Sequence, residues 1–212
     1  MSPKKSSPDS KLTPIADLYT ESLQEHGTRS AGVGWKDPKS HVLRFDKLLT
    51  VVQPSSGKVS VNDLGCGYGA LYRHIEKSTS IKLKKYYGYE ISYPMLDAAN
   101  HQICNPKVEF QLSDHLTQEA DYSFACGIFN VRLEQSEKAW TAYILKTLKN
   151  LAEFSVKGFA FNALSIYVDY RKDHLYYADP MFFFDYCKKN FGKEVNLLHD
   201  YPLYEWTLTV RS

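Results

Sequence analysis

Apolar residues recur along this chain with two different periods. Between residue 14 and about residue 26, Ile15, Leu18 and Leu23 fall on one stripe of a short helix. A glycine-bearing link, 27–34, separates it from a second helical pattern over 39–53, with Val42, Phe45, Leu48 and Leu49 on one face. Pro54, Ser55, Ser56 and Gly57 stop that helix. The chain then alternates. Short apolar runs at 59–64, 86–91, 108–112, 122–129 and 158–164 read as strands, and 70–78, 94–104 and 138–154 read as helices. The 94–104 helix has Pro94 in its first turn. The 138–154 helix carries Trp140, Tyr143, Ile144, Leu148 and Leu151 at helical spacing. The run at 122–129 is apolar without alternation, the pattern of a strand covered on both faces.

Strands alternating with helices predict a parallel sheet with right-handed crossovers. The C-terminal part departs from that rhythm. A helix over 180–191 precedes two strands, 194–201 and 204–211, joined only around Pro202 and Leu203. So short a link cannot carry a parallel crossover, so these strands are expected to be antiparallel neighbours. The predicted fold is α/β: a seven-stranded, mostly parallel sheet with helices on both faces and a C-terminal antiparallel strand hairpin. It forms one domain over 54–212, preceded by a helical cap over 14–53. Residues 1–13, rich in Ser, Pro and Lys, are expected to be a disordered tail.

Composition narrows the class. The 212 residues are 43% hydrophobic and 24% charged, as in an ordinary soluble domain, with an unusual 16 tyrosines. The net charge is +2, and Lys4, Lys5 and Lys11 against Asp9 already supply it, so the body of the chain is neutral. A nucleic-acid reader normally shows a basic surplus, so nucleic acid is not expected as a partner. Cys66, Cys104, Cys126 and Cys187 form no CxxC pair. This spacing predicts neither a metal site nor a disulfide framework, and points to reduced thiols in the cytoplasm. No apolar run reaches membrane-spanning length and no signal-peptide core precedes the first helix, so no membrane association is expected.

The chemistry concentrates where the first strand meets the next helix, in Val61-Asn62-Asp63-Leu64-Gly65-Cys66-Gly67-Tyr68-Gly69. Open parallel sheets bind ligands at the carboxyl ends of their strands. Glycines there let the chain turn sharply and a ligand come close. The helix N-terminus beyond favours an anionic group such as a carboxylate, and Asp63 can accept from an ammonium. An amino-acid ligand needs both. About 25 residues on, Glu90 in Tyr87-Gly88-Tyr89-Glu90-Ile91-Ser92 ends the second strand, where a carboxylate takes the hydroxyls of a ribose. Asp114, after the third strand, could accept from an adenine amino group, with Leu112, His115 or Leu116 against the ring. Gly65-x-Gly67-x-x-Ala70 also satisfies the loose dinucleotide pattern. Two features oppose that reading. Asp63 would place a negative charge beside a pyrophosphate, and the closing hairpin does not belong to the usual dinucleotide fold.

The stretch DLGCGYG resembles motif I of the class I S-adenosylmethionine (SAM)-dependent methyltransferases, and GYEIS resembles their acidic second motif. The resemblance extends from roughly residue 40 to 212 and includes the reversed last strand. It implies SAM as cofactor, with Asp63, Gly65, Cys66 and Gly67 at the methionine end, Glu90 and Ile91 at the ribose, and Asp114 and His115 at the adenine. The segment before motif I often caps the cofactor in this family. Tyr19, Trp35 and Arg44 are the candidates here.

The acceptor is expected beyond the fourth and fifth strands. The chain lacks the Asn/Asp-Pro-Pro-aromatic signature of amino-adenine and glutamine methyltransferases. Asn130 either orients a polar acceptor or simply turns the strand into a loop. The loop after the fifth strand, IYVDYRKDHLYYADP, offers Tyr170 and, as the best candidate for a base, His174. Asp179-Pro180 reads as a helix cap. The expected partner is a small-molecule methyl acceptor. The alternatives are a protein or RNA acceptor recognised with a partner subunit, or a non-catalytic SAM-binding protein.

Overall fold

A computed structural model describes residues 8–35, 37–54, 57–77 and 81–212. Its N-terminal arm consists of a 3-10 turn (Ser10–Leu12), helix α1 (Thr13–His26), a second 3-10 turn (Ser30–Val33) and helix α2 (Pro38–Leu49). The alternating body follows as β1 (Val59–Leu64), α3 (Ala70–Lys77), β2 (Leu83–Glu90), α4 (Tyr93–Gln102), β3 (Val108–Leu112), β4 (Ala120–Ala125), α5 (Glu137–Glu153) and β5 (Ser155–Leu164). It closes with α6 (Pro180–Asn190), β6 (Glu194–Leu198) and β7 (Glu205–Arg211). The sheet order is β3-β2-β1-β4-β5-β7-β6. β1 to β5 are parallel, while β7 runs antiparallel to both β5 and β6. The expected architecture is therefore the observed one.

Alternate residues of the central strands feed two cores. Phe159 and Phe161 pack on one face with Trp140, Ile144, Leu148 and Leu151 of α5, Phe183 of α6 and Trp206 of β7. Ala160 points the other way, to Phe124, Val61 and Tyr86, which Phe45, Leu48, Leu71 and Ile75 cover from α2 and α3. Helix starts are chemically marked: Ser92, Ser136 and Asp179 each accept a first-turn N–H, and Pro follows in α4 and α6.

Three expectations change. β4 ends at Ala125, not at 129, because Gly127 has φ 74° and turns the chain out of the sheet. Of the tail expected to be disordered over 1–13, residues 1–7 lie outside the described residues. Residues 8–13 have a definite place, with Leu12 buried and the Asp9 N–H donating to Asp114. The buried face of α2 is His41, Arg44, Phe45 and Leu48, whereas Val42 is 43% exposed. Two of the four inward residues of that helix are polar, which apolar periodicity does not reveal.

Candidate active site

β1 ends at Leu64 and the chain turns at once, with Gly65 at φ 75° and Gly67 at φ 53°. A Cβ on Gly65 would lie 2.2 Å from Ile128 Cγ2, and one on Gly67 3.0 Å from Val33 Cγ1. The turn thus threads a gap with no room for side chains. The N–H groups of Gly65 and Cys66 donate to the Tyr89 carbonyl at 2.8 and 3.0 Å, which fixes the turn against β2.

Glu90 is the last residue of β2 and is buried. Its carboxylate accepts the N–H groups of Gly67 (2.9 Å), Ile91 (2.8 Å) and Ser92 (2.9 Å). Burial still raises its pKa, against the pull of those three bonds. Asp63, one residue before the end of β1, accepts from the Tyr86 hydroxyl with Oδ2, and among the described residues its other oxygen has no partner. Burial pushes this carboxyl up to about 7, the Tyr86 bond opposing and the Glu90 charge adding to the rise. Two carboxylates thus share a buried space whose described lining holds no Lys or Arg.

That space is a cavity of about 900 Å³, part of it open to solvent, between the carboxyl ends of the strands and the N-terminal arm. Asp63, Gly65, Cys66, Gly67, Glu90, Ile91 and Asp114 line it, as do Tyr19 and Trp35 from the arm. Asp114 accepts from Asp9 N–H at 3.0 Å and pairs with His115 Nδ1 at 2.7 Å. Burial raises its carboxyl, but those contacts outweigh burial and hold it below its usual range. Tyr19 is pushed up to about 12, by burial first and then by Glu90 and Cys126.

The arm is held to the sheet by a chain of polar contacts. Arg44 Nε and Nη2 donate to Glu205 at 2.8 and 2.6 Å. Asn162 Nδ2 donates to the same carboxylate at 2.6 Å, and Asn162 Oδ1 accepts from Gly127 N–H at 2.7 Å. The Arg44 guanidinium also lies 3.6 Å from the Trp35 ring centre. Trp35 in turn sits so close over Gly127 that a Cβ there would approach its Cζ2 to 2.5 Å.

Several expected residues stand elsewhere. Arg44 does not line the cavity but holds Trp35, which does. His115 pairs with Asp114 from outside and faces a neighbouring groove along α5. His174 and Tyr170 are exposed and do not line the cavity. Their loop packs away from it: Tyr176 is buried with its hydroxyl 2.7 Å from Thr141, and Ala178 bridges to Ser165. Asn130 is buried but also outside the lining, its Oδ1 accepting from Leu164 N–H at 2.9 Å and its Nδ2 without a partner among the described residues. Conversely, the cavity includes Leu12, Val33, His41, Phe45, Trp140 and Tyr143, which the motifs did not indicate. The available signal was apolar helical spacing, which marked Phe45 on α2 and Trp140 and Tyr143 on α5.

Comparison with known proteins decides the family. A Methyltransferase domain model matches residues 62–144. A Mycobacterium tuberculosis (strain H37Rv) protein named as a methyltransferase, Rv1506c, is 46% identical over 156 residues, 72% of this chain and 93% of the relative. The chain is a class I SAM-dependent methyltransferase. Among solved structures, magnesium protoporphyrin IX methyltransferase of Synechocystis PCC 6803 with bound SAM has a TM-score of 0.67 at 16% identity, covering 97% of this chain and 99% of that one. A DhpI-SAM-HEP complex has a TM-score of 0.65 at 11% identity, covering 96% and 99%. SAM is the cofactor of this methyltransferase. No helix among the described residues is long and apolar enough to cross a membrane.

Proposed function

We propose that the enzyme transfers a methyl group from SAM, bound in this cavity, to a small molecule. The observation that carries the donor placement is Asp63, a buried carboxylate with one oxygen unpaired and a pKa raised to about 7. Such a group is suited to an ammonium, and the amino-acid end of SAM supplies one. On this reading Asp63, Gly65, Cys66 and Gly67 hold the methionine end, and Glu90 and Ile91 the ribose. Asp114 holds the adenine, with Leu12, Met95, Trp140 and Tyr143 as apolar surroundings from the same lining. Tyr19 and Trp35 cap the donor from the arm. SAM supplies an activated methyl, so the protein's work is alignment and exclusion of water. The arm roofing the cavity does both, and its cover favours a small acceptor over a protein or RNA segment. All four cysteines are unpaired, which supports a reducing compartment, the cytoplasm.

Calorimetry with S-adenosylhomocysteine (SAH) tests the donor placement. We expect micromolar binding, weakened about tenfold or more by Glu90→Ala, since a hydrogen bond to a charged group is worth roughly 1.5–3 kcal/mol. No binding by the wild type, or unchanged affinity in the variant, refutes it.

A further inference from the structure

The end of the cavity beyond the glycine turn is walled by rings. Trp35 and His41 have centroids 6.2 Å apart, His41 and Phe45 4.5 Å, and Phe45 packs in turn on His74 at 5.6 Å. Trp35, His41 and Phe45 all line the cavity. His41 is 6% exposed and faces inward from the first turn of α2. Its Nδ1 lies 3.3 Å from Ser30 Oγ, and among the described residues no group engages Nε2.

We infer that His41 takes the proton of the methyl acceptor, and that this acceptor is an uncharged aromatic hydroxyl compound. The proposal rests on the donor placement above and adds the acceptor's half of the site. With Nδ1–H donating to Ser30, the lone pair of Nε2 is the base that a ligand in the cavity meets. Burial first, and then the charges of Arg44 and His74, lower the His41 pKa to about 4, so the ring is neutral at pH 7.

A base that weak in the empty protein is adequate because charge is conserved across the transfer. The acceptor O–H bond breaks and its proton passes to Nε2, while an oxygen lone pair forms the new bond to the methyl carbon. The electron pair of the broken carbon–sulfur bond stays on sulfur, which becomes neutral. One positive charge therefore leaves sulfur as one arrives on the imidazole. Ser30, half-buried, offers Nδ1 a route toward solvent.

The acceptor class follows from the lining. Among the described residues that line the cavity there is no Lys or Arg, and three are acids: Asp63, Glu90 and Asp114. A carboxylate or phosphate acceptor would lose its hydration and find no cationic side chain in the described lining, the Arg44 guanidinium lying on Trp35 outside it, at a cost of several kcal/mol. A flat neutral ring loses little and gains aromatic contacts.

The test uses the full chain, with phenol, catechol and 2-naphthol against benzoate and 2-naphthoate. Tryptophan fluorescence of the SAH complex reads acceptor binding without turnover, and O-methyl product and SAH read transfer with SAM. The phenols are expected to bind and be methylated, and the carboxylates to give at least about 100-fold less product. His41→Gln and His41→Ala should leave the calorimetric affinity for SAH within twofold, and His41→Gln should still bind 2-naphthol. Both should lower transfer by about 100-fold or more, the usual contribution of a general base. Transfer within threefold of wild type in His41→Ala removes His41 as the base. Equal methylation of the carboxylates, or no phenol methylated by a protein that binds SAH, overturns the acceptor class. A wild type that fails to bind SAH refutes the donor placement beneath it, and this proposal with it.

Discussion

Arg44 and Glu205 are joined by two parallel hydrogen bonds, 2.8 and 2.6 Å, across 161 residues of chain, and both side chains are almost wholly buried. Burying one charge without the other costs about 3–5 kcal/mol, whereas replacing both by apolar groups is often tolerated. Arg44→Met should therefore lower unfolding free energy by about 3–5 kcal/mol in urea and weaken SAH binding, because Trp35 loses the guanidinium that presses on it. Arg44→Met/Glu205→Leu should recover part of the stability. A double variant no more stable than Arg44→Met alone would show that Asn162, not Arg44, is the principal partner of Glu205.

Asp63 predicts opposite pH dependences for stability and for ligand affinity. Its folded-state pKa of about 7 exceeds the ordinary 3.8. The folded protein binds more protons than the unfolded one between those values, so this group's contribution to stability falls as pH rises from about 4 through 7. A cationic ligand prefers the carboxylate, so affinity must rise over the upper part of that window. SAH binding at pH 6 is expected to be several-fold to tenfold weaker than at pH 7.5. Calorimetry across this range on wild type and Asp63→Asn checks it. An equally steep dependence in the variant assigns the proton elsewhere.

Gly127→Ala should cost about 1–2 kcal/mol for its left-handed backbone alone. The added methyl also displaces Trp35, clamped between Arg44 and this glycine. A shifted tryptophan emission together with a several-fold weaker SAH affinity is the expected pair of results. Changed stability with unchanged emission would mean that Trp35 does not rest on Gly127 in solution.

Leu12 is 3% exposed and lines the cavity beside the residues placed around the adenine. Truncating a buried leucine removes apolar contact worth about 1.5–3 kcal/mol. Leu12→Ala should raise the Kd for SAH about tenfold. An unaltered Kd would limit the donor site to α1 and beyond.

The sequence made legible whatever depends on neighbours along the chain. Apolar runs marked all seven strands, and the short link around Pro202 fixed the antiparallel pair β6–β7. Asp63 and Glu90 stood out because strand ends and glycines are local signals. The apolar run through Phe129 overextended β4, since Phe129 is fully buried yet lies past the Gly127 turn. His41 escaped because a periodic count of apolar residues passes over polar ones turned inward, and Arg44, expected to cap the cofactor, holds Trp35 instead. Arg44 has its reason in Glu205, on the last strand, and nothing near it in sequence announces that partner. The aromatic loop with His174 and Tyr170 invited a catalytic reading, but Tyr176 and Ala178, the residues that anchor it, draw it onto α5 and β5 instead.

Because β7 enters the sheet reversed, its first residue, Glu205, arrives at the same edge where the parallel strands end. A nascent chain still lacking that strand already owns the glycine turn, Glu90 and the arm, but Arg44 there is a buried cation without its Glu205 partner. Contacts of such wide sequence separation form late in folding. The last strand to be synthesised thus supplies the counter-charge that lets Arg44 press Trp35 onto Gly127, so the roof over the cavity is completed only when the whole sheet is.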